Sequence, residues 1–248
     1  MNGVLIPIEQ ARLSVFDHGV LYGDGVFEGI RFYRGRAFRL DAHLYRLFRS
    51  AAALRLAVPY DRAALTEAIN RTIGAFHQPD GYLRLVVTRG EGRLGLDPGS
   101  CGQTNTFIIA DELSLIGEAT REAGARLIVA ATRRLAPDGL DPRIKSLNYL
   151  NHILARMEAS NAGADEAILL NAQGRVAEGT ADNIFIARNG VLLTPPPADG
   201  ALEGITQGHT VISAALTMGL LILPVIIIAS SLFTTGAAPA EPLPSPAP

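Results

Sequence analysis

Lysine and cysteine are almost absent from this 248-residue chain, which holds one of each, Lys145 and Cys101. A single thiol closes no intrachain disulfide and builds no multi-thiolate zinc site, so no metal is expected and a reducing, cytoplasmic setting is. Net charge is nearly absent too, since 22 basic against 24 acidic side chains give −2. With no cationic field to draw in a phosphate backbone, a dedicated nucleic-acid binder is excluded. Charged residues make up 19% and hydrophobic ones 48%, which excludes bulk disorder and supplies apolar material for one or two folded domains. The first twelve residues include Pro7 and Glu9 and lack a basic start followed by an apolar stretch, so no secretory leader is expected.

Charge is missing altogether from Thr210 to Ala240, a run that contains LLILPVIII at Leu220 to Ile228. Its length meets the crude test for a membrane span. Against a span stand Pro224 near the middle, Gly219, the polar Ser213, Thr217, Ser230, Ser231 and Thr234, and the lack of flanking lysine or arginine. A helix ending at Gly219 and a buried strand from Leu221 fit the same letters, with a membrane-associating segment as the alternative.

The other cations are all arginine, 21 of the 22. Guanidinium stays protonated, whereas an amine can lose its proton and attack a carbonyl, which makes Lys145 a nucleophile candidate. Chance survival of one surface lysine is the plain alternative, and the surroundings must decide.

Patterning predicts a mixed α/β chain. Strands are expected at Val4 to Ile6, Val26 to Tyr33 and Ala37 to Arg39, with a turn at Arg34-Gly35. A helix capped by Asp41 runs to about Leu56 with Leu44, Leu47, Phe48, Ala51 and Leu54 inward, and another spans Asp61 to Phe76. Strands at Tyr82 to Thr88 and Thr106 to Ile109 flank a long Gly-rich loop, Gly90 to Gly102. Asp111 to Gly117 reads as an interdomain connection. Beyond it lie a strand at Arg126 to Thr132 and a helix at Leu147 to Ala162, its apolar face being Leu150, Ile153, Leu154 and Met157. Strands follow at Ala167 to Asn171, Asn183 to Arg188 and Val191 to Thr194, the last two joined by a tight Asn189-Gly190 turn.

Lys145, in RIKSLNYLN, falls between a strand and a helix, with Tyr149 four residues on. An amine there is placed to form an imine with an aldehyde cofactor. Glu178, in VAEGTADNIFI between two strands, is a carboxylate that a loop can aim into a cleft, where it would keep a pyridinium nitrogen protonated. Glu203-Gly204-Ile205-Thr206 opens a helix expected from Ile205 to about Met218, and free N–H groups at such an end hold phosphate. Arg46 would add a guanidinium to the same anion. Taken singly, each has an ordinary explanation: a turn acid, a Gly-rich helix entry, a solvated helix arginine.

Six ordered blocks go further: FDHGVLYGDGVFEGIR from Phe16, FRLDAHLYRLFRSA from Phe38, YLRLVVTRGEGRLGLDP from Tyr82, IKSLNYLNHILARMEA from Ile144, VAEGTADNIFI from Val176 and LEGITQ from Leu202. In order and spacing they resemble the class IV pyridoxal-phosphate-dependent aminotransferases, and within them the branched-chain amino acid group. The resemblance covers about residues 1 to 220. It implies the fold type IV architecture, α/β of the α+β type, in two domains: a smaller one at 1–113 and a larger cofactor-binding one at 118–235, incomplete at its C-terminal end. An Ala/Pro-rich tail follows at 236–248.

The same resemblance makes Lys145 the Schiff-base lysine and proton shuttle for pyridoxal 5'-phosphate, and Glu178 the partner of the pyridine nitrogen. Arg46, Gly204 and the N–H groups of Ile205 and Thr206 would hold the phosphate, and Tyr149 the phenolic oxygen. Tyr22, Phe27, Tyr82, Arg84 and Arg89 would surround the substrate. It implies ping-pong transamination between branched-chain L-amino acids and 2-oxoglutarate, small-molecule amino acid and 2-oxo acid partners, and a homodimer. The EGIR form at Glu28 to Arg31 resembles the branched-chain group, whereas Arg89 in TRG occurs in the D-amino acid enzymes. The pattern decays after Gly219: FTTGAA at Phe233 stands where a longer turn is expected, with Ala237 at a threonine position. D-amino acid transamination, aminodeoxychorismate lyase chemistry, or a C-terminally truncated homologue of little or no activity therefore remain as alternatives.

Overall fold

Residues 1–112, 123–188 and 191–205, and the backbone of 225–229, are described by the computed structural model. In strand β1 (Gly25–Tyr33) Val26, Ile30 and Phe32 are fully buried, the even-numbered side of a pleat whose side chains alternate between two faces. After β2 (Arg36–Ala37) come helices α2 (Leu40–Ala53) and α3 (Arg62–Ala75), and then β3 (Gly81–Thr88) and β4 (Asn105–Asp111); the short helix α1 (His18–Tyr22) precedes β1. The strands form one antiparallel sheet in the order β2-β1-β3-β4. Leu44, Leu47 and Ala51 of α2 and Leu65, Ile69 and Ile73 of α3 recur at helical spacing and close the core with Leu83, Leu85 and Val87.

The pairing of Phe27 with Val86, Gly29 with Arg84 and Arg31 with Tyr82 puts these odd-numbered β1 residues on the opposite face. Gly29 is needed there, because a Cβ would come within 3.0 Å of the Tyr82 Cζ and push the phenol away.

The second half holds β5 (Leu127–Val129), helix α4 (Leu150–Asn161), β6 (Glu166–Leu170), β7 (Val176–Gly179), β8 (Asn183–Arg188), β9 (Val191–Leu193) and β10 (Val225–Ala229). Its two sheets are ordered β5-β6-β7 and β10-β8-β9. β5 and β6 are parallel, the pairing that needs a crossover, and the crossover carries Lys145 and α4. Ala155 and Ala159 pack on Ala130, Ala167 and Leu169, so the small residues let α4 lie close on the sheet.

Several expectations change. No strand forms at Val4 to Ile6; Pro7 cannot donate to a ladder, and the neighbouring Asn2 bonds to β4, its N–H donating to the Thr106 carbonyl and its Oδ1 accepting the Thr106 N–H. Asp41 is in the first turn of α2 rather than at its cap, which is Arg39 in a left-handed conformation (φ 52°). The returning strand after β1 is two residues long, and Glu178 lies on a strand, β7, not between two. On α4 the buried positions are His152, Ala155 and Ala159, whereas Leu150, Ile153, Leu154 and Met157 are exposed. Two apolar stripes compete on that helix, and the small one fits the sheet.

The uncharged run contributes β10, which pairs antiparallel with β8 from Val225 opposite Ala187 to Ala229 opposite Asn183. Among the described residues no helix is long and apolar enough to cross a membrane. The Asn189-Gly190 turn, most of the Asp111 to Gly117 connection, Thr206, the helix expected after Ile205, and Ala237 lie outside the described residues.

Candidate active site

Lys145 is pinned through its backbone. Its carbonyl accepts from the Phe27 N–H (3.0 Å), the Leu147 N–H donates to the Gly25 carbonyl (3.0 Å), and Ser146 bridges to Val26. From the other side the Ser50 hydroxyl oxygen of α2 accepts the Lys145 N–H at 3.1 Å. The side chain is thereby directed over the site face of β1: Nζ lies 3.1 Å from the Tyr149 hydroxyl and 4.6 Å from the centroid of the Phe27 ring. The Arg84 guanidinium lies 4.3 Å from that same centroid and 5.6 Å from that of Tyr82. Burial pushes the Tyr82 phenol pKa up, so it stays a neutral donor. An amine, an arginine and two aromatic rings thus share one wall.

Glu178 is the second element. Its carboxylate is almost fully buried and would be raised in pKa by desolvation. The His152 hydrogen bond (3.2 Å), the Arg134 charge and the Leu202 N–H (2.9 Å) win, and hold it below the usual carboxylate range. Arg134 Nε lies 2.7 Å from Oε1 but sends its hydrogen to the Gly200 carbonyl, so it acts on Glu178 by charge. Among the described residues each oxygen accepts one hydrogen bond and keeps acceptor capacity. A buried, ionised carboxylate with unfilled acceptor positions fits a pyridinium N–H.

The third element forms around Arg46. Glu28, on the core side of β1, takes a bidentate pair from Arg46 Nε and Nη2 (both 2.7 Å) and a contact from His43 Nδ1 (2.7 Å). Desolvation opposes its charge, but the Arg46 guanidinium and the His43 hydrogen bond bring its pKa down to about 2. Arg46 Nη1 donates to the Glu203 carbonyl (2.8 Å), and Arg49 pairs with the Glu203 carboxylate. Among the described residues three of the five guanidinium hydrogens are used, which leaves two for an anion beside Gly204 and Ile205. Arg46 is oriented by Glu28 rather than solvated.

Two consequences are measurable. Since the folded pKa of Glu28 is depressed, its stabilisation is present above the ordinary value of 4.5 and is lost as pH falls toward about 2. Thermal melts from pH 6 to pH 2 should fall steeply in that window. Glu28→Gln should flatten the fall and cost about 3–5 kcal/mol at pH 7, because it strands the Arg46 charge. Arg46→Ala, for its part, should weaken binding of pyridoxal 5'-phosphate by roughly tenfold to a hundredfold, since charge-assisted hydrogen bonds contribute about 1.5–3 kcal/mol. Equilibrium dialysis checks it.

Of the residues expected from sequence, the structure brings Lys145, Tyr149, Phe27, Tyr82 and Arg84 together, with Glu178 reached through His152, whose ring stacks on Tyr149. Arg46, Gly204 and Ile205 form the adjoining group through Glu203. The two other expected substrate residues have partners of their own. Arg89 is committed to Asp24 (2.8 and 2.9 Å) and to the Leu54 and Arg55 carbonyls at the end of α2, where it ties a helix terminus to β3. Tyr22 accepts from the Gly95 N–H (2.9 Å) and meets His18 edge-on. Sequence reasoning gave no role to Glu28, His43, Arg134 or His152; Glu28 carried a signal, an acid at a core position of an apolar strand, and His152 a fainter one, its spacing from Ala155 and Ala159. A hollow of about 800 Å³ between the first thirteen residues, α3 and β4 contains none of these side chains.

Comparison with known proteins gives the family. The family model described as amino-transferase class IV matches residues 25–239. A Methanocaldococcus jannaschii protein provisionally assigned as a branched-chain-amino-acid aminotransferase is 47% identical over 245 residues, 96% of this chain and 83% of that protein. The structure of the branched-chain aminotransferase from Thermoproteus uzoniensis with norvaline superposes with a TM-score of 0.82 at 35% identity, over 93% of this chain and 82% of that one. The T.th. branched-chain amino acid aminotransferase with pyridoxamine 5'-phosphate gives 0.83 at 33% identity, over 94% and 81%. This chain belongs to the class IV aminotransferases, fold type IV enzymes that work with pyridoxal 5'-phosphate.

Proposed function

We propose that the chain transfers the amino group of branched-chain L-amino acids to 2-oxoglutarate in two ping-pong half-reactions. The observation that carries this reading is the placement of the only lysine, with Nζ against Tyr149 and Phe27, in one cradle with a buried ionised Glu178. The cofactor, when bound, supplies an electron sink beside the substrate α carbon. Lys145 Nζ is its attachment point and, once freed by the incoming amine, takes the α proton and returns it. Glu178 holds a proton on the ring nitrogen, Tyr149 fixes the phenolic oxygen, and Arg46, Gly204, Ile205 and Thr206 seat the phosphate. Phe27 and Tyr82 give an apolar side chain its contact surface, and Arg84 receives the carboxylate.

We place the site between the two halves, 1–113 and 118–235, since Phe27, Arg46 and Arg84 come from one and Lys145 and Glu178 from the other. The enzyme is taken to be a cytoplasmic homodimer. Support for the dimer is the apolar surface beside Tyr22, where Val20, Leu94 and Leu96 are 59%, 71% and 82% exposed. Light scattering should give twice the chain mass. With 2-oxoglutarate as acceptor, L-leucine, L-isoleucine and L-valine should each yield the matching 2-oxo acid by chromatography. Turnover of D-alanine or D-glutamate at a higher kcat/KM would overturn the substrate assignment.

A further inference from the structure

His152 has no part in the proton transfers above, yet it touches both groups that would flank the cofactor ring. It lies on the buried stripe of α4 with Ala155 and Ala159, is 6% exposed, and reaches Glu178 Oε1 with Nε2 at 3.2 Å. The face of its imidazole stacks on Tyr149, ring centroids 4.6 Å apart and planes inclined by 22°. Phe27 also meets Tyr149, edge-on at 5.0 Å. An ionised Glu178 can only accept, so Nε2 carries the hydrogen and donates. Nδ1 is buried with no hydrogen-bond partner among the described residues. A hydrogen on Nδ1 would be stranded there, which favours the Nε2–H tautomer.

We propose that His152 is a positioning residue for the transamination described above, one rigid ring whose edge sets the Glu178 carboxylate and whose face sets the plane of Tyr149 and hence its hydroxyl at Lys145 Nζ. The two contacts are separable. His152→Phe keeps a flat ring against Tyr149 and removes the donor, His152→Gln keeps a donor for Glu178 and removes the stack, and His152→Ala removes both. The inference rests on the transaminase reading, but one arm of it exists without cofactor.

The test therefore has two parts. In the cofactor-free protein, long-range ¹H–¹⁵N spectra of the histidine side chains should show the His152 hydrogen on Nε2; a hydrogen on Nδ1 would overturn the proposal. With pyridoxal 5'-phosphate, His152→Ala should bind about tenfold more weakly, the loss of one hydrogen bond's worth of affinity. It should also move the pH midpoint of the bound cofactor's visible band by about half a unit or more. His152→Phe and His152→Gln should each fall between it and the wild type, and because they keep most of the side-chain volume they serve should the alanine variant fail to fold. Variants that melt earlier but keep the wild-type affinity and midpoint would reduce His152 to a packing residue and overturn the inference. A wild type that takes up no pyridoxal 5'-phosphate would instead overturn the transaminase reading, while the tautomer would still decide the Glu178 arm.

Discussion

Lys145→Ala is expected to lower transamination on the order of 10⁴-fold or more, because one residue supplies both the covalent attachment and the proton transfer. The loss should not come from unfolding. Three backbone contacts hold the segment, from the Lys145 N–H to Ser50, from its carbonyl to the Phe27 N–H and from the Leu147 N–H to Gly25. None of them needs the amine. The side chain itself makes one hydrogen bond, to Tyr149, and is only half-buried. Circular dichroism and melting temperature should stay close to wild type. No second lysine exists to take over, so the residual rate should be flat in enzyme concentration above the free-cofactor background. A variant that keeps even a hundredth of the wild-type rate would mean that the amine has been placed in the wrong role.

Glu178→Gln is expected to have the second largest effect. Glutamine keeps the volume and one acceptor, but it offers an amide NH₂ where a carboxylate charge stood. Arg134 and the Leu202 N–H are arranged around an anion, and a buried guanidinium left without one costs about 3–5 kcal/mol. Beyond stability, an uncharged partner no longer favours a protonated ring nitrogen, and the electron sink weakens. A fall in kcat of roughly 10²–10³-fold with little change in KM is expected, as for other groups that stabilise charge only as the reaction proceeds. Stopped-flow single turnover with L-valine separates the two parameters, and a change confined to KM would contradict the role. Glu178→Asp should recover part of the rate, because the charge returns at a longer reach.

How the chain announces this site differs from residue to residue. Lys145 is legible by scarcity, since every other cation is arginine, and Tyr149 by its spacing from it. Glu178 is legible as a candidate but not as a strand residue: VAEG has too few β-formers to mark β7, which owes its pairing to Leu169 and Ile168 on β6. The main elements of the first half follow from period-2 and period-3.6 patterns, because β1, β3, α2 and α3 surround a single large core.

Patterning misleads where size matters more than hydropathy. On α4 the large apolar stripe reads as the inward face, yet the alanine stripe is inside, because close approach to β6 has no room for leucine. His152 shares that stripe, and a histidine spaced three and seven residues from two alanines is the trace it leaves in the sequence. Arg89 misleads in another way. The TRG tripeptide is compatible with binding a substrate, and only the geometry shows that, among the described residues, four of the five guanidinium hydrogens go to Asp24 and two carbonyls. Arg46 combines both lessons, since its helix position is readable and its tether, Glu28, is hidden in an apolar strand.

The most direct test of the account is the absorption spectrum of the purified protein with pyridoxal 5'-phosphate, recorded beside Lys145→Ala, before and after addition of L-leucine. A protein-bound imine band is expected in the wild type alone, converted by L-leucine to the pyridoxamine form with release of the 2-oxo acid. A folded wild type that shows no imine band, or one that L-leucine leaves unchanged, would contradict it.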